Sequence, residues 1–274
     1  MAKNDLFGDK IAIVTGAASG IGRAVATRLG RFGATVCAAD INEPGAKQTV
    51  SVITAAGGNS YAAKLDVTIS ADVGKLVADV AKRHGRIDYM FNNAGIAIVG
   101  ETRDMTAEQW KTIIDINLMG VLSGTTAAYR LMAKQGFGHI VNTASLAGII
   151  PVPTETAYCL TKYAVVGLST SLRGEGAGLG VRVSVICPGF VRTPIIDNYI
   201  PIGFERADLS YIPKRMTDVD EAASTILKGV AKNKAIILVG SDAHIIWRLY
   251  KVWPGLVGFF GRRGMALMRS IKKK

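Results

Sequence analysis

The sequence predicts an α/β protein, in which one doubly wound domain has a parallel, seven-stranded sheet and carries a C-terminal helical extension. Seven short runs are continuously apolar rather than alternating, which is typical of strands that are buried on both faces. Longer stretches with helical spacing lie between most of these runs, and alternating β and α elements favour a parallel sheet covered by helices. The length of 274 residues and the hydrophobic fraction of 49% suffice for one large core.

The predicted elements follow one another in chain order. The strands are Lys10–Thr15, Ala34–Asp40, Tyr61–Leu65, Ile87–Asn92, His139–Thr143, Val181–Cys187 and Ala235–Val239. The helices are Gly20–Phe32, Glu43–Ala56, Ala71–His84, Thr106–Lys134, Thr156–Glu175 and Asp218–Ala231. Thr106, followed by Glu108 and Gln109, predicts that the fourth helix starts with a partial capping box.

A glycine-rich turn joins the first strand to the first helix. It reads Thr15-Gly16-Ala17-Ala18-Ser19-Gly20-Ile21-Gly22, and its glycines let the backbone approach a pyrophosphate at the helix N-terminus. The GxxxGxG spacing differs from the usual GxGxxG, and a purely structural turn also explains three glycines. The order of strand, turn and helix favours a Rossmann-type cofactor site.

Asp40, at the end of the second predicted strand, indicates which dinucleotide binds. A carboxylate there accepts hydrogen bonds from the ribose hydroxyl groups of NAD and repels the 2′-phosphate of NADP. The next residues, Ile41-Asn42-Glu43, offer no Arg or Lys to that phosphate. The sequence therefore predicts NAD, although a surface aspartate is the simpler alternative.

A tyrosine and a lysine are spaced for acid–base chemistry. Tyr158 and Lys162 are four residues apart on a predicted helix, so their side chains share one face. An ammonium group, together with a positively charged cofactor ring, favours the phenolate and lowers the tyrosine pKa. Ser145 follows the fifth strand, where its hydroxyl can hold the reacting oxygen. Alternatively, Tyr158 and Lys162 are an ordinary surface pair, and Ser145 only stabilises a turn or caps a helix.

The order and spacing of these motifs resemble the short-chain dehydrogenase/reductase family from about Lys10 to Gly240. The motifs are Thr15-Gly16…Gly20…Gly22, Asp66-Val67, Asn92-Asn93-Ala94-Gly95, Asn117, Ser145, Tyr158…Lys162, Pro188-Gly189 and Thr193. The resemblance implies the catalytic residues Asn117, Ser145, Tyr158 and Lys162. It implies cofactor contacts at Gly16, Ser19, Gly20, Ile21, Gly22, Asp40, Asp66, Val67, Asn93, Ala94, Gly95, Tyr158, Lys162, Pro188, Gly189, Val191 and Thr193.

The family resemblance also implies the reaction and the assembly. Direct hydride transfer would interconvert a secondary alcohol and its ketone, with Tyr158 as the general acid or base. Asn117 would kink its helix and help to link Lys162 to solvent. A homotetramer, or a dimer, would place the helices of Asn117 and Tyr158 at an interface. Two other functions stay open, an NADP-dependent 3-oxoacyl (carrier protein) reductase and a nucleotide-sensing regulator without catalysis.

The long irregular stretch 188–216 predicts a substrate lid. It contains four of the eight prolines and is rich in apolar residues. The segments Ile149–Pro153 and Ile96–Val99 are also apolar, and we expect them to line the pocket with the lid. The substrate is therefore expected to be an apolar alcohol or ketone.

A basic, amphipathic extension at 243–274 follows the predicted dehydrogenase domain at 1–242. Eight basic residues and no acidic residue follow Asp242, so much of the net charge of +12 lies there. Apolar residues recur at helical spacing, and Trp253-Pro254-Gly255 divides them into two short helices. The extension either covers the body, the pocket or a neighbouring subunit, or makes a peripheral membrane contact.

Composition excludes several other classes of protein. Thirty-one glycines without a G-X-Y period rule out collagen, and three scattered cysteines indicate neither a disulfide framework nor a zinc site. We therefore expect no metal and a reducing, cytoplasmic location. Residues 1–10 resemble no signal or transit peptide, and no apolar stretch is long enough to predict a transmembrane helix. The basic tail lacks a recognition motif, so no nucleic-acid partner is expected.

Overall fold

The apolar runs form strands in the computed structural model, which describes residues 6–203 and 215–271. The strands within these residues are β1 (Ile11–Thr15), β2 (Thr35–Asp40), β3 (Asn59–Lys64), β4 (Tyr89–Asn92), β5 (Ile98–Gly100), β6 (Gly138–Thr143), β7 (Val181–Pro188), β8 (Ile200–Ile202) and β9 (Ile236–Val239). Seven of them form one sheet in the order β3-β2-β1-β4-β6-β7-β9, and all neighbours are parallel. This confirms the predicted doubly wound, Rossmann-type α/β fold.

Helices cover both faces of this sheet. They are α1 (Gly20–Arg31), α2 (Glu43–Ala55), α3 (Ser70–His84), α4 (Ala107–Ile114), α5 (Gly120–Gln135), α6 (Thr156–Ala177), α7 (Pro194–Asp197), α8 (Val219–Ala231), α9 (Ser241–Val252) and α10 (Pro254–Ile271). On one face, Val25 of α1, Ile53 of α2 and Ile226 of α8 join one buried cluster. On the other face, Val77 of α3 and Met132 of α5 pack in a second cluster.

The position of the cleft follows from the strand order, which reverses between β1 and β4. In open parallel sheets, ligands bind in the crevice that such a reversal opens at the carboxyl ends of the strands. Thr15, the last residue of β1, fastens the chain that leaves β4. Its hydroxyl oxygen accepts hydrogen bonds from the backbone N–H groups of Asn93 at 3.0 Å and Ala94 at 3.2 Å. The two strand ends are therefore held together at the crevice.

One predicted helix is interrupted. The sequence predicts a single helix over Thr106–Lys134, whereas a π turn at Asp115–Met119 separates α4 from α5. The helix start is confirmed, because Thr106 and Gln109 form a complete capping box. The π turn contains Asn117, whose side chain is bonded to another segment, and such turns are frequent at functional sites.

Two short elements lie in the stretch 188–216 that the sequence predicts as irregular. The helix α7 and the strand β8 fall there, and residues 204–214 lie outside the described residues. Strand β8 pairs in parallel with β5, with Ile98 opposite Ile200 and Gly100 opposite Ile202. Strands of three residues whose partner is distant in the chain leave no periodic signal in the sequence.

The C-terminal extension forms two helices separated at Trp253, as predicted, although α10 is 18 residues long rather than short. Helix α9 packs its apolar side on the body, where Ile246 and Trp247 join a cluster with Leu146 and Ile150. Among the described residues, no helix has both the length and the apolar character that a membrane span needs.

Candidate active site

The turn between β1 and α1 is tight because glycines occupy it. Gly16 and Gly20 have φ angles of +66° and +53°, which other residues rarely adopt. A Cβ atom on Gly22 would lie 2.1 Å from the carbonyl oxygen of Gly16, and one on Gly16 would lie 2.8 Å from Cα of Ala94. The first backbone N–H groups of α1 have no partner inside the helix, and its first turn contains no acid. The turn therefore forms a site that suits a phosphate group.

Asp40 lies at the end of β2 with its carboxylate held by two backbone groups. The N–H groups of Ala18 and Asn42 donate to it at 2.8 and 2.9 Å. Each carboxylate oxygen has a further acceptor position, and the residue lines the cleft. The carboxylate is thus fixed in place while it can still accept hydrogen bonds from a ligand.

The loops after β3 and β4 supply further polar groups to the cleft. Asp66 accepts hydrogen bonds from the backbone N–H and the hydroxyl group of Thr68, at 2.9 and 2.7 Å. The side-chain nitrogen of Asn93 donates to the carbonyl oxygen of Thr15 at 3.2 Å, and its oxygen accepts from the Thr143 hydroxyl at 3.3 Å. These bonds hold the loops beside the glycine turn.

Lys162 is a buried cation in the centre of the cleft. It is 3% exposed, and its Nζ donates to the carbonyl oxygen of Thr143 at 3.0 Å. Nζ also lies 5.4 Å from the centroid of the Tyr158 ring. Burial disfavours the charged form and lowers the pKa of Lys162 to about 8. An ammonium group has three donors, and the bond to Thr143 uses one of them.

Asn117, inside the π turn, holds a backbone segment next to Lys162. Its Oδ1 accepts from the N–H of Ile96 at 2.8 Å, and its Nδ2 donates to the carbonyl oxygen of the same residue at 2.9 Å. A Cβ atom on Gly95 would lie 3.1 Å from Oδ1 of Asn117 and 3.5 Å from Nζ of Lys162. The two side chains therefore converge on the same glycine.

Tyr158 and Ser145 line the cleft together, and the Ser145 hydroxyl acts to lower the pKa of the tyrosine. Burial and the nearby Glu155 carboxylate act in the opposite direction and outweigh it, so the pKa of Tyr158 lies above its usual value. The lowered pKa expected from the sequence is therefore absent in the protein by itself. One reason is that Nζ of Lys162 bonds to a carbonyl oxygen rather than to the phenol. At neutral pH, Tyr158 is a proton donor.

These groups surround one cleft with a volume of about 430 Å³, which is within the usual range for ligand sites. The predicted site residues that line it are Gly16, Ser19, Gly20, Ile21, Asp40, Asp66, Val67, Asn93, Ala94, Gly95, Ser145, Tyr158, Lys162, Pro188, Gly189, Val191 and Thr193. Gly22 and Asn117 do not line it. Gly22 lies under the glycine turn, and Asn117 lies behind Gly95.

The substrate half of the cleft differs in part from the sequence-based expectation. Ile96, Ala97, Val99, Ile195, Ile196 and Tyr199 line the cleft, in agreement with an apolar pocket. The segment Ile149–Pro153 does not line it, because Ile150 packs toward α9 instead. Phe190 and Pro194 of the predicted lid also line the cleft, whereas the lining residues that the sequence did not indicate are Ile41, Leu65, Ile116, Thr143, Ala144 and Glu155. For Glu155 a signal existed, since it precedes Tyr158 by about one helical turn.

Comparison with known proteins decides the family. A family model described as short chain dehydrogenase matches residues 10–201. The chain belongs to this family. A crystal structure of a short-chain dehydrogenase/reductase from Burkholderia phymatum in complex with NAD is similar, with a TM-score of 0.84 and 29% identity over 93% of this chain and 96% of the other.

Two curated relatives show how broad the likeness is. The probable oxidoreductase EphD of Mycobacterium tuberculosis is 36% identical over 262 residues, which cover 90% of this chain and 44% of that protein. The chain thus spans less than half the length of EphD. The 3-oxoacyl-[acyl-carrier-protein] reductase FabG of Thermotoga maritima is 36% identical over 241 residues, which cover 86% of this chain and 98% of FabG.

The residues of the cleft fit the nicotinamide dinucleotide that this family implies. The space beside Gly16 and Gly20 is open to the cleft, and the start of α1 offers backbone N–H groups for a pyrophosphate. Asp40 offers acceptor positions for ribose hydroxyl groups, and Lys162 has donors beyond its bond to Thr143. No part of this donor set requires a metal ion.

Proposed function

We propose that the protein is an NAD-dependent dehydrogenase that interconverts an apolar secondary alcohol and its ketone. The placement of Tyr158 and Ser145 in one cleft, beside the buried cation Lys162, carries this proposal. A proton donor, an orienting hydroxyl and a cation next to a dinucleotide site are the groups that carbonyl reduction and alcohol oxidation need. The apolar residues at the same end of the cleft support an apolar substrate.

In this proposal Tyr158 transfers the proton, while Ser145, Lys162 and Asn117 orient the reacting groups or stabilise charge. Ser145 holds the substrate oxygen by a hydrogen bond, while the Tyr158 hydroxyl donates its proton to the ketone or accepts one from the alcohol. A bound nicotinamide supplies or accepts the hydride. Lys162 stabilises the tyrosinate and binds ribose hydroxyl groups, and Asn117 positions the backbone at Ile96.

The cofactor preference rests on Asp40. The other cofactor contacts that we propose are the predicted residues that line the cleft. Gly22 does not line it but supports the glycine turn from beneath. A second candidate is an NADP-dependent 3-oxoacyl reductase, which the likeness to FabG favours. The carboxylate at the end of β2 favours NAD, because it would repel a 2′-phosphate.

The test is NADH formation from NAD with secondary alcohols that range from small aliphatic to steroidal compounds. We expect activity to rise with apolar bulk, and to be at least tenfold lower with NADP at equal concentration. Activity with NADP alone would favour the reductase. Silence with every alcohol and ketone, despite measurable NADH binding, would favour the regulator and overturn the proposal.

We further propose a homotetramer built through α5 and α6, with a dimer as the alternative. Leu160 and Tyr163 of α6 and Met119 before α5 are large apolar side chains that are 42–46% exposed. Such a patch suits contact with a second copy of the chain. Light scattering coupled to size-exclusion chromatography tests this proposal, and a monomer at micromolar concentration would contradict it.

For the extension at 243–274 we propose a peripheral contact with anionic membranes. The side that α9 turns away from the body leaves Val252 at 85% and Trp253 at 64% exposure, and Phe260 of α10 is 62% exposed. Aromatic side chains among basic residues suit a lipid interface. Co-sedimentation with phosphatidylglycerol vesicles should fall when Trp253 and Phe260 are replaced by serine. Unchanged co-sedimentation would remove the membrane contact and leave the protein-packing role.

A further inference from the structure

The substrate half of the cleft contains one acidic side chain among its described lining residues, Glu155. The other two acids of the cleft, Asp40 and Asp66, lie at its opposite end, and both accept hydrogen bonds from nearby groups. For the Glu155 carboxylate, the described part of the chain supplies no hydrogen-bond donor and no cation. A carboxylate that is partly buried without a partner is unfavourable for folding, so its presence calls for a reason outside the free protein.

The local backbone explains why this carboxylate stays free. Glu155 is the N-cap residue, immediately before α6, and acidic residues at this position commonly accept hydrogen bonds from the first helical N–H groups. The Glu155 side chain makes no such bond. The preceding residue, Thr154, has a φ of +70°, and its carbonyl oxygen accepts a hydrogen bond from the N–H of Gly100 at 2.7 Å. This connection holds the start of α6 against β5, beside the pocket.

Glu155 lies near the groups that would handle the substrate oxygen. It lies just before α6, three residues before Tyr158, and both side chains line the cleft. Its charge is close enough to raise the pKa of Tyr158. The other titratable groups around it are Cys159 on the same helix and, beyond Tyr158, Lys162 and Cys187 of β7. Burial raises the pKa of Glu155 itself to about 7.

We propose that Glu155 is a substrate-binding residue whose carboxylate accepts a hydrogen bond from a second donor group, a hydroxyl or an ammonium, on an otherwise apolar alcohol. This inference rests on the proposed dehydrogenase function and specifies its substrate class. The reacting hydroxyl lies at Tyr158 and Ser145, and the second donor lies beside Glu155. A hydrophobic wall, with Val99 and Tyr199, surrounds the carbon skeleton between them.

The test compares cyclohexanol with 1,4-cyclohexanediol and trans-4-aminocyclohexanol at pH 8, with NAD in excess. The diol and the amino alcohol should have KM values lower by about 10–100-fold, because a hydrogen bond to a charged group is worth that much and cyclohexanol leaves the carboxylate of Glu155 without a donor. For the diol, this effect must exceed the twofold advantage of two equivalent hydroxyl groups. If KM falls further for the amino alcohol than for the diol, the preferred second donor is an ammonium. If the two KM values fall alike, a hydroxyl suffices.

Substitutions assign the preference to the carboxylate. Glu155→Ala should abolish both preferences, whereas Glu155→Gln should keep part of the preference for the diol, because an amide oxygen still accepts from a hydroxyl. Glu175→Gln makes the same chemical change at an exposed position of α6 and should retain both preferences. Equal KM values for the three alcohols in the natural protein, or preferences that persist in Glu155→Ala, would overturn the proposal.

Two readouts are independent of turnover. In the presence of NADH, the diol should raise the Tm more than cyclohexanol does, and Glu155→Ala should remove this difference. If this shift occurs while no alcohol is oxidised, the dehydrogenase function fails and the Glu155 site stands.

The second readout is the pH dependence of stability without ligands. Because burial raises the pKa of Glu155 from 4.5 to about 7, the folded protein holds this proton over a pH range in which the unfolded chain has lost it. The free energy of unfolding therefore falls as the pH rises from 4.5 to about 7, and the full loss is present at pH 8. Glu155→Gln should therefore raise the Tm at pH 8 and leave it unchanged at pH 4; a gain of equal size at both pH values would contradict an unpaired carboxylate.

Discussion

The two ends of the cleft differ in how their acidic side chains are used. At the cofactor end, Asp40 and Asp66 are held by neighbouring backbone groups, so their positions are fixed before any ligand binds. At the substrate end, Glu155 has no such partner among the described residues, and a strained residue precedes it. The cofactor end is thus preorganised by short-range contacts, while the substrate end leaves a polar group to be satisfied by what it binds.

The largest effect should come from removing the proton donor where the two ends meet. Tyr158→Phe keeps the ring but loses the hydroxyl, and we expect kcat to fall by about 10²–10⁴-fold. The affinity for NADH, measured by fluorescence titration, should stay within about threefold, because the glycine turn is untouched. Near-normal turnover in this variant would show that the cleft works without a tyrosine proton donor.

A methyl group in the glycine turn should damage the cofactor end alone. In Gly22→Ala the new Cβ would lie 2.1 Å from the Gly16 carbonyl oxygen, so the turn must shift, at a cost of about 1–3 kcal/mol. We expect NADH affinity to fall at least tenfold and the Tm to drop. Gly74→Ala is the matched control, because its Cβ meets nothing within 4 Å inside α3 and should stabilise the helix slightly. An equal loss of NADH affinity in Gly22→Ala and Gly74→Ala would contradict a tight glycine turn.

Asp40→Ala should change which dinucleotide binds at the same end. Removing the carboxylate removes repulsion toward a 2′-phosphate and leaves Lys64, paired in register on β3, as a nearby cation. The ratio of kcat/KM for NADPH over NADH should rise by about 10–100-fold. Asp66→Ala provides the comparison, since it should weaken both cofactors alike. A ratio that stays constant in Asp40→Ala would remove the basis for the NAD preference.

The smallest effect should come from the ion pair between the extension and the substrate end. The guanidinium of Arg269 in α10 contacts the carboxylate of Glu101 at 2.7 Å, just after β5. Arg269→Ala should raise KM for an apolar alcohol by no more than about threefold, because Arg103 still contacts the buried Glu101 carboxylate and water screens the half-exposed Arg269. Arg263→Ala, on the same helix, should leave KM unchanged. A change in NADH affinity instead would show that α10 acts on the cofactor end.

The sequence predicts the cofactor end better than the substrate end, and the reason is physical. The glycine turn, Asp40 and the spacing of Tyr158 and Lys162 are local patterns, each confined to one turn, strand end or helix face. The substrate end combines β5, β8 and the start of α6, which meet only after folding. The family resemblance indicates a kink at Asn117, but not its form as a π turn, in which Asn117 bonds to Ile96 of a distant segment.

The contact of Arg269 with Glu101 joins positions far apart in the chain at the edge of the pocket wall. Because Val99, two residues before Glu101, lines the cleft, we expect substitution of Arg269 to act on the pocket while every cofactor motif stays intact. The C-terminal helix therefore gives this chain a place where substrate range can change while the catalytic residues stay the same.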